Sequence, residues 1–225
     1  MVQDLGVGKT TIALQIAEHL AKNKKSIMFV SLEMADTQLI QKMIAREGNI
    51  QGYRMRRGTL EEDDWNKIVQ VAGELSALEF NIFSNIRNIQ ELELEARKLK
   101  NKGKLDVLFI DYIQLLKSSG KYSNREQEVA DISRKLKLLT LELDIPIIAL
   151  CQLNRNAQIN EPKLSDLRES GSLEMDADNI IFLYREDDES DIINLKLAKQ
   201  RAGEIGIVKL KFDKQKSNFI NVYKG

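Results

Sequence analysis

The chain has 225 residues, 43% of them hydrophobic, enough to bury a sizeable core in a single domain spanning 1–225. Its 34 basic and 34 acidic residues cancel, which argues against a nucleic-acid binder working through bulk charge, and the lone His19 and lone Cys151 leave neither a His/Cys metal cluster nor an intrachain disulfide. No apolar run reaches the ~18 residues of a membrane span, and no basic-plus-apolar leader precedes residue 1, so a cytoplasmic, reducing setting is expected.

In chain order, GVGKTT opens a helix from Thr10 to about Lys22, with Ala13, Leu14, Ala17 and Leu20 on one face. Ser26–Leu32 reads as a buried strand. Asp36 is placed to cap a helix carrying Leu39, Ile40, Met43 and Ile44, which stops near Gly48. Thr59 and Glu62 have capping-box spacing, ahead of a helix with Trp65, Ile68, Val69, Ala72 and Leu75 facing inward. Phe80–Phe83 is a short strand, Asn88 and Glu91 open the next helix, and that helix ends at Gly103. Leu105–Asp111 is an apolar run ending in an acid, as parallel strands covered on both faces require. A polar stretch then leads into a helix ending near Leu143, followed by a buried strand over Ile145–Leu153 that contains an inert Cys151. After a loop over Asn154–Lys163 the remainder reads as strands: Asn179–Tyr184, Ile192–Ala198, Ile205–Phe212 and Phe219–Val222. The alternation predicts an α/β fold, a mostly parallel sheet flanked by helices with an antiparallel C-terminal extension.

Six stretches carry chemistry. In GVGKTT, Gly6 and Gly8 let backbone N–H groups face a polyphosphate, and the helix that follows adds the positive end of its dipole. Lys9 can reach the β- and γ-phosphates, the Thr10 hydroxyl can hold magnesium, and Thr11 completes the turn. The full pattern G-x-x-x-x-G-K-[ST] places its first glycine at position 3, where this chain has Gln3. Asp111 ends a buried strand, where a magnesium–nucleotide site needs a carboxylate. Glu33 also follows a buried strand and can take a proton from an attacking water. Gln152, at a third strand end, can contact a γ-phosphate without adding negative charge. In Asp166–Asp178, Arg168 and the backbone near Gly171 can meet phosphate. Lys199 and Arg201, one residue apart at a strand end, point to one side and suit a phosphate, including one held by a neighbouring copy.

The order GKTT, SLEM, FIDYIQL, NREQEVADISRKLK, PIIALCQLNR, LSDLRESGSLEMDADNIIFLYR and AKQRAGEIG resembles the RecA-like P-loop motor domain of bacterial replicative DNA helicases, the DnaB family, over nearly the whole chain. The resemblance implies a homo-hexameric ring that hydrolyses ATP between subunits with Mg2+ and moves on single-stranded DNA during replication. It assigns Lys9 and Thr10 to the phosphate loop, Glu33 to water activation, Asp111 to magnesium, and Gln152 to γ-phosphate sensing. Lys199 and Arg201 become the pair that reaches the next subunit, and Arg168, Glu169 and Gly171 the DNA-facing loop. The family's N-terminal domain, which meets primase, its linker helix, and the first core strand before the phosphate loop are not recognisable here, so weak activity is expected of the chain alone; a helicase loader is a further partner of the full-length proteins. Two other readings stay open. One is another RecA-like ATPase, a recombinase or a clock-type ATPase, against which DLRESGS and KQRAG tell. The other is a non-enzymatic helicase fragment, which the incomplete phosphate loop favours.

Overall fold

Two strands, β1 (Ile27–Ser31) and β3 (Val107–Asp111), are buried at every residue, and they organise the molecule. The computed structural model describes residues 7–153, 161–187 and 189–222, apart from the side chains of residues 168–170. β1 and β3 lie side by side in parallel, Ile27 opposite Val107 and Ser31 opposite Asp111. β2 (Phe80–Phe83) flanks β1, and β4 (Ile147–Ala149) flanks β3, giving a parallel sheet in the order β2-β1-β3-β4.

Alternation along β1 and β3 sends side chains to two separate cores. Met28, Val30, Leu108 and Ile110 pack under α5 (Ile89–Asn101) and α6 (Arg125–Leu143). Ile27, Phe29, Val107 and Phe109 pack under α1 (Lys9–Lys22) and α2 (Asp36–Glu47). Phe29 stacks between Phe80 and Phe109, with ring centroids 6.2 and 5.7 Å away. Truncating so enclosed a ring costs about 3–5 kcal/mol. The buried pair of Arg46 with Glu18 ties α2 to α1.

After α7 (Gly171–Asp176), β5 (Asn179–Tyr184), β6 (Ile192–Gln200), β7 (Gly206–Asp213) and β8 (Asn218–Asn221) form an antiparallel sheet in sequential order. Its small core of Ile193, Leu210, Phe212 and Phe219 takes in Val7 and Ile12. This sheet therefore lies beneath the start of α1. Among the described residues, no helix is long and apolar enough to cross a membrane.

Several expectations need correction. Ala35, not Asp36, precedes α2; Asp36 is its first residue and accepts from the Thr37 N–H at 2.8 Å. Thr59 and Glu62 do not cap α4 (Glu62–Ser76). Glu61 precedes it, and Asp64 Oδ2 accepts from the Glu61 N–H at 3.1 Å. Arg54 also holds Asp64 at 3.0 Å, drawing that carboxylate inward. The buried stripe of α4 thus runs through Asp64, Ile68, Val71 and Leu75, while Trp65, Val69 and Ala72 face outward. A stripe through 64, 68, 71 and 75 has the same helical period as the expected one, so periodicity alone does not choose between them. The strand expected over Ile145–Leu153 shrinks to Ile147–Ala149 and is only half-buried, because it lies at the end of its sheet. Cys151 beyond it is half-buried rather than enclosed.

Candidate nucleotide site

The carboxyl ends of β1, β3 and β4 converge on the first turn of α1. Gly8 precedes this helix with φ at +86°, a left-handed conformation that glycine adopts without penalty. No acid occupies the first turn of α1, so its positive end is open to an anion. A Cβ at Gly8 would lie 2.7 Å from Phe219 Cζ and 3.1 Å from Phe212 Cε1. Gly8 thus rests on the stacked pair Phe212–Phe219, whose centroids are 4.5 Å apart.

Thr10 and Asp111 meet directly: the Thr10 hydroxyl donates to Asp111 Oδ2 at 2.7 Å. Asp111 is only 2% exposed. Burial lifts its carboxyl above the ordinary carboxylate value, and the charge of Glu33 pushes the same way, while the Thr10 bond, Lys9 and Lys42 oppose the rise. A hydroxyl beside a buried acid is a fitting magnesium site, since this ion takes few protein ligands and keeps several waters. Thr10 would ligate it and Asp111 would offer the supporting charge.

Lys9 is half-buried, with its Nζ 3.5 Å from the Cys151 carbonyl, which brings it to the end of β4. Thr11 is buried against the sheet, so only its backbone can meet a ligand. Glu33 stands exposed on a tight turn. Ser31 Oγ donates to Met34 O at 2.6 Å and accepts from the Met34 N–H at 3.2 Å, and the Leu32 N–H donates to Asp111 O at 2.7 Å. This turn fixes Glu33 beside Asp111. Gln152 is exposed just past β4, its backbone gripped by the Gln114 side chain. Five of the expected residues, Lys9, Thr10, Glu33, Asp111 and Gln152, are therefore gathered at one edge.

Gly8 and Thr11 belong to the same first turn of α1. Gly6 lies outside the described residues, as do the side chains of Arg168 and Glu169. Gly171 begins α7 and is exposed. Lys199 is turned back onto its own chain, donating to the Glu174 and Ala177 carbonyls at 2.6 and 2.8 Å. Arg201 pairs with Asp178 at 2.9 Å, and the other oxygen of Asp178 accepts from Lys137 at 2.6 Å. Arg201 lies just past the end of β6, and the contacts of both residues are with α7 and the segment after it rather than with the Lys9 cluster.

Sequence reasoning missed Lys42. It is half-buried on α2, its ammonium lowered by burial and by nearby Arg56, and drawn toward Asp111. Lys42 and Arg56 share a cavity of about 220 Å³ with Gln38 and Gln41. The signal was present: Lys42 follows Leu39 by three residues on the inward stripe of α2, where an ordinary core tolerates no unpaired cation. The aromatic floor under Gly8 had no local signal, since more than 200 residues separate the two.

Three comparisons bear on this geometry. The family described as the DnaB-like helicase C terminal domain matches residues 5–221. The replicative DNA helicase DnaC of Bacillus subtilis (strain 168) is 42% identical over 229 residues, covering 96% of this chain and 50% of the relative. The replicative DNA helicase DnaB of Geobacillus stearothermophilus matches to the same extent. This chain spans about half the length of these relatives. A solved structure described as an ATPase domain superposes with a TM-score of 0.90 at 38% identity, over 97% of this chain and 82% of that one. A DnaB-like replicative helicase, described with its interactions with primase, also gives 0.90, at 37% identity over 97% of this chain and 55% of that one.

Proposed function

We propose that this chain, which belongs to the DnaB-like helicase C-terminal domain family, is over 1–225 a single ATP-hydrolysing motor unit of a replicative DNA helicase. The observation that carries the reading is the Thr10–Asp111 hydrogen bond at the sheet edge where Lys9, Glu33 and Gln152 also stand. The resemblance to replicative helicases over almost the whole chain favours it over a recombinase or clock-type ATPase.

In this reading the α1 N-terminus and Lys9 hold the β- and γ-phosphates of ATP. Bound magnesium would neutralise charge on those phosphates. Thr10 and Asp111 hold its place; Asp111 must be ionised to do so. Glu33 accepts the proton of the water that attacks the γ-phosphorus, and its exposure leaves room for that water. Gln152 orients the γ-phosphate oxygens. Lys199 and Arg201 act on the nucleotide of an adjoining copy in a homo-hexameric ring, where an arginine stabilises transition-state charge. Arg168, Glu169 and the Gly171 backbone meet single-stranded DNA. Primase and a helicase loader are partners of the longer protein.

The test is calorimetric titration of Mg-ATP into the chain and its Lys9→Ala variant. Binding by the parent that the variant loses supports the reading, and hydrolysis with single-stranded DNA is then expected. Equal binding by both, or by neither, would leave a helicase-derived fragment without a working site.

A further inference from the structure

We propose that Gln114 is a positioning residue for Gln152. This deepens the nucleotide-site reading above and rests on the role given there to Gln152.

Gln114 lies in the short 3-10 turn Ile113–Leu115, three residues beyond Asp111. Its side-chain amide meets the backbone of Gln152 twice. Oε1 accepts from the Gln152 N–H at 3.2 Å, and Nε2 donates to the Gln152 carbonyl at 3.0 Å. Nε2 also lies 2.8 Å from Cys151 Sγ. A primary amide is the side chain with an acceptor and a donor spaced to satisfy a peptide in this way. The orientation of the amide follows from the pairing itself, since a flipped group would face donor to donor and acceptor to acceptor.

Gln114 is itself anchored. Its own carbonyl accepts from Arg125 Nη2 at 2.7 Å, and the same nitrogen reaches the Leu116 carbonyl at 2.6 Å. Arg125 in turn pairs with Glu128, which accepts from the Ser118 N–H at 2.9 Å. The Ile113 N–H donates to Leu150 O at 2.9 Å. The start of α6, the turn after Asp111 and the segment after β4 are thereby joined into one unit.

The need for such a brace follows from β4. That strand has only three residues and is half-exposed, and Gln152 lies beyond its last paired residue, Ala149. A γ-phosphate contact demands placement within a few tenths of an ångström. The Gln114 amide ties Gln152 to the chain that carries Asp111, so the residue sensing the phosphate and the acid supporting the metal share one frame.

Two variants test this. Gln114→Leu removes both bonds with little change in volume and leaves the Arg125 contacts to backbone intact. Gln114→Glu keeps the acceptor but sets a second oxygen against the Gln152 carbonyl. Without nucleotide, hydrogen exchange at the Gln152 amide should accelerate roughly tenfold or more in Gln114→Leu, with amides in β1 and β3 unchanged. With nucleotide, the preference of the site for a non-hydrolysable ATP analogue over ADP should fall roughly 10–100-fold in both variants. In the double variant with Gln152→Ala, it should fall no further than in Gln152→Ala alone. Unchanged exchange at Gln152 overturns the proposal, with or without nucleotide binding. A preference lost in Gln152→Ala but kept in Gln114→Leu overturns it while the reading of Gln152 stands. A preference kept in both Gln152→Ala and Gln114→Leu removes the reading of Gln152 and the proposal together. A drop in melting temperature with the preference retained shows that Gln114 is structural only, and also overturns it.

Discussion

Gln15 and Phe219 exchange two hydrogen bonds: Gln15 Nε2 donates to the Phe219 carbonyl at 2.9 Å, and the Phe219 N–H donates to Gln15 Oε1 at 2.9 Å. α1 thereby takes the place of a further strand at the β8 backbone. Gln15→Leu leaves both backbone groups half-buried and unpaired, which costs about 1–3 kcal/mol. Thermal unfolding should report the loss, and Mg-ATP affinity should fall with it, because the ring of Phe219 supports the phosphate loop. Unaltered affinity would show that the loop is held by other means.

Gly8→Ala should be more damaging than its size implies. The new methyl would meet Phe219 at 2.7 Å on a backbone at φ +86°. The left-handed conformation alone costs a non-glycine residue about 1–3 kcal/mol. Adding Phe219→Leu should relieve the clash but not the backbone cost, so the double variant is expected to recover part of the melting temperature lost by Gly8→Ala.

Asp111→Asn should separate stability from function. A carboxyl whose folded value lies above its ordinary 3.8 is better tolerated protonated. Its stabilising contribution is complete below 3.8 and is lost as pH rises through the raised folded value. At neutral pH the charge is therefore a liability, and the amide, which can still accept from Thr10, should raise the melting temperature. The advantage should vanish in acid, below the ordinary carboxylate range. Magnesium-dependent nucleotide binding should be lost in the same variant.

Mg-ATP binding by the parent chain carries the opposite pH dependence. It needs ionised Asp111, so affinity should decline as pH falls through that raised value, earlier than an ordinary aspartate would dictate. Titrations across the acid range in a non-chelating buffer would show it. A decline confined to pH below 3.8 would mean that Asp111 is not the group responsible.

Arg201→Ala should leave nucleotide affinity unchanged, because Arg201 pairs with Asp178 and is remote in contact from Lys9 and Thr10. DNA-stimulated hydrolysis should drop roughly 10³-fold, the scale of an arginine supplied to a neighbour. Mixing Arg201→Ala with Lys9→Ala chains should restore part of the hydrolysis, because the intact site of the first can meet the arginine of the second. No recovery in the mixture would place the action of Arg201 within its own subunit.

Most of the fold could be read from local pattern. The runs at Ile27–Ser31 and Val107–Asp111 are apolar on both faces because helices cover both, and no polar alternation could be mistaken for them. Asn88 caps α5 as its spacing with Glu91 predicts, the Glu91 N–H donating to its side chain at 2.8 Å. The α4 face could not be read, because two stripes of the same period run along it and the buried one includes Asp64, whose partner Arg54 lies outside the helix. At the site, residues that end strands were legible since their position depends only on the strand before them. Lys199 and Arg201 were legible as a pair but not in their partners, which lie on α7 and just after it. Lys42 stood on the inward stripe of its helix and could have been read, whereas Gln114 and Phe219 act through contacts between distant segments, which single-sequence pattern does not carry.

The seat of Gly8 on Phe212 and Phe219 has a consequence for biosynthesis. Residues 8 to 11 are made long before Asn218–Asn221, and they gain their aromatic seat only once that strand has been synthesised and laid against α1. A chain broken off before that point, by premature termination or by a protease, keeps the Thr10–Asp111 contact but loses the aromatic seat of Gly8. The first turn of α1 is therefore steadied from two sides at two different times, early by the strand that ends in Asp111 and late by the strand that carries Phe219.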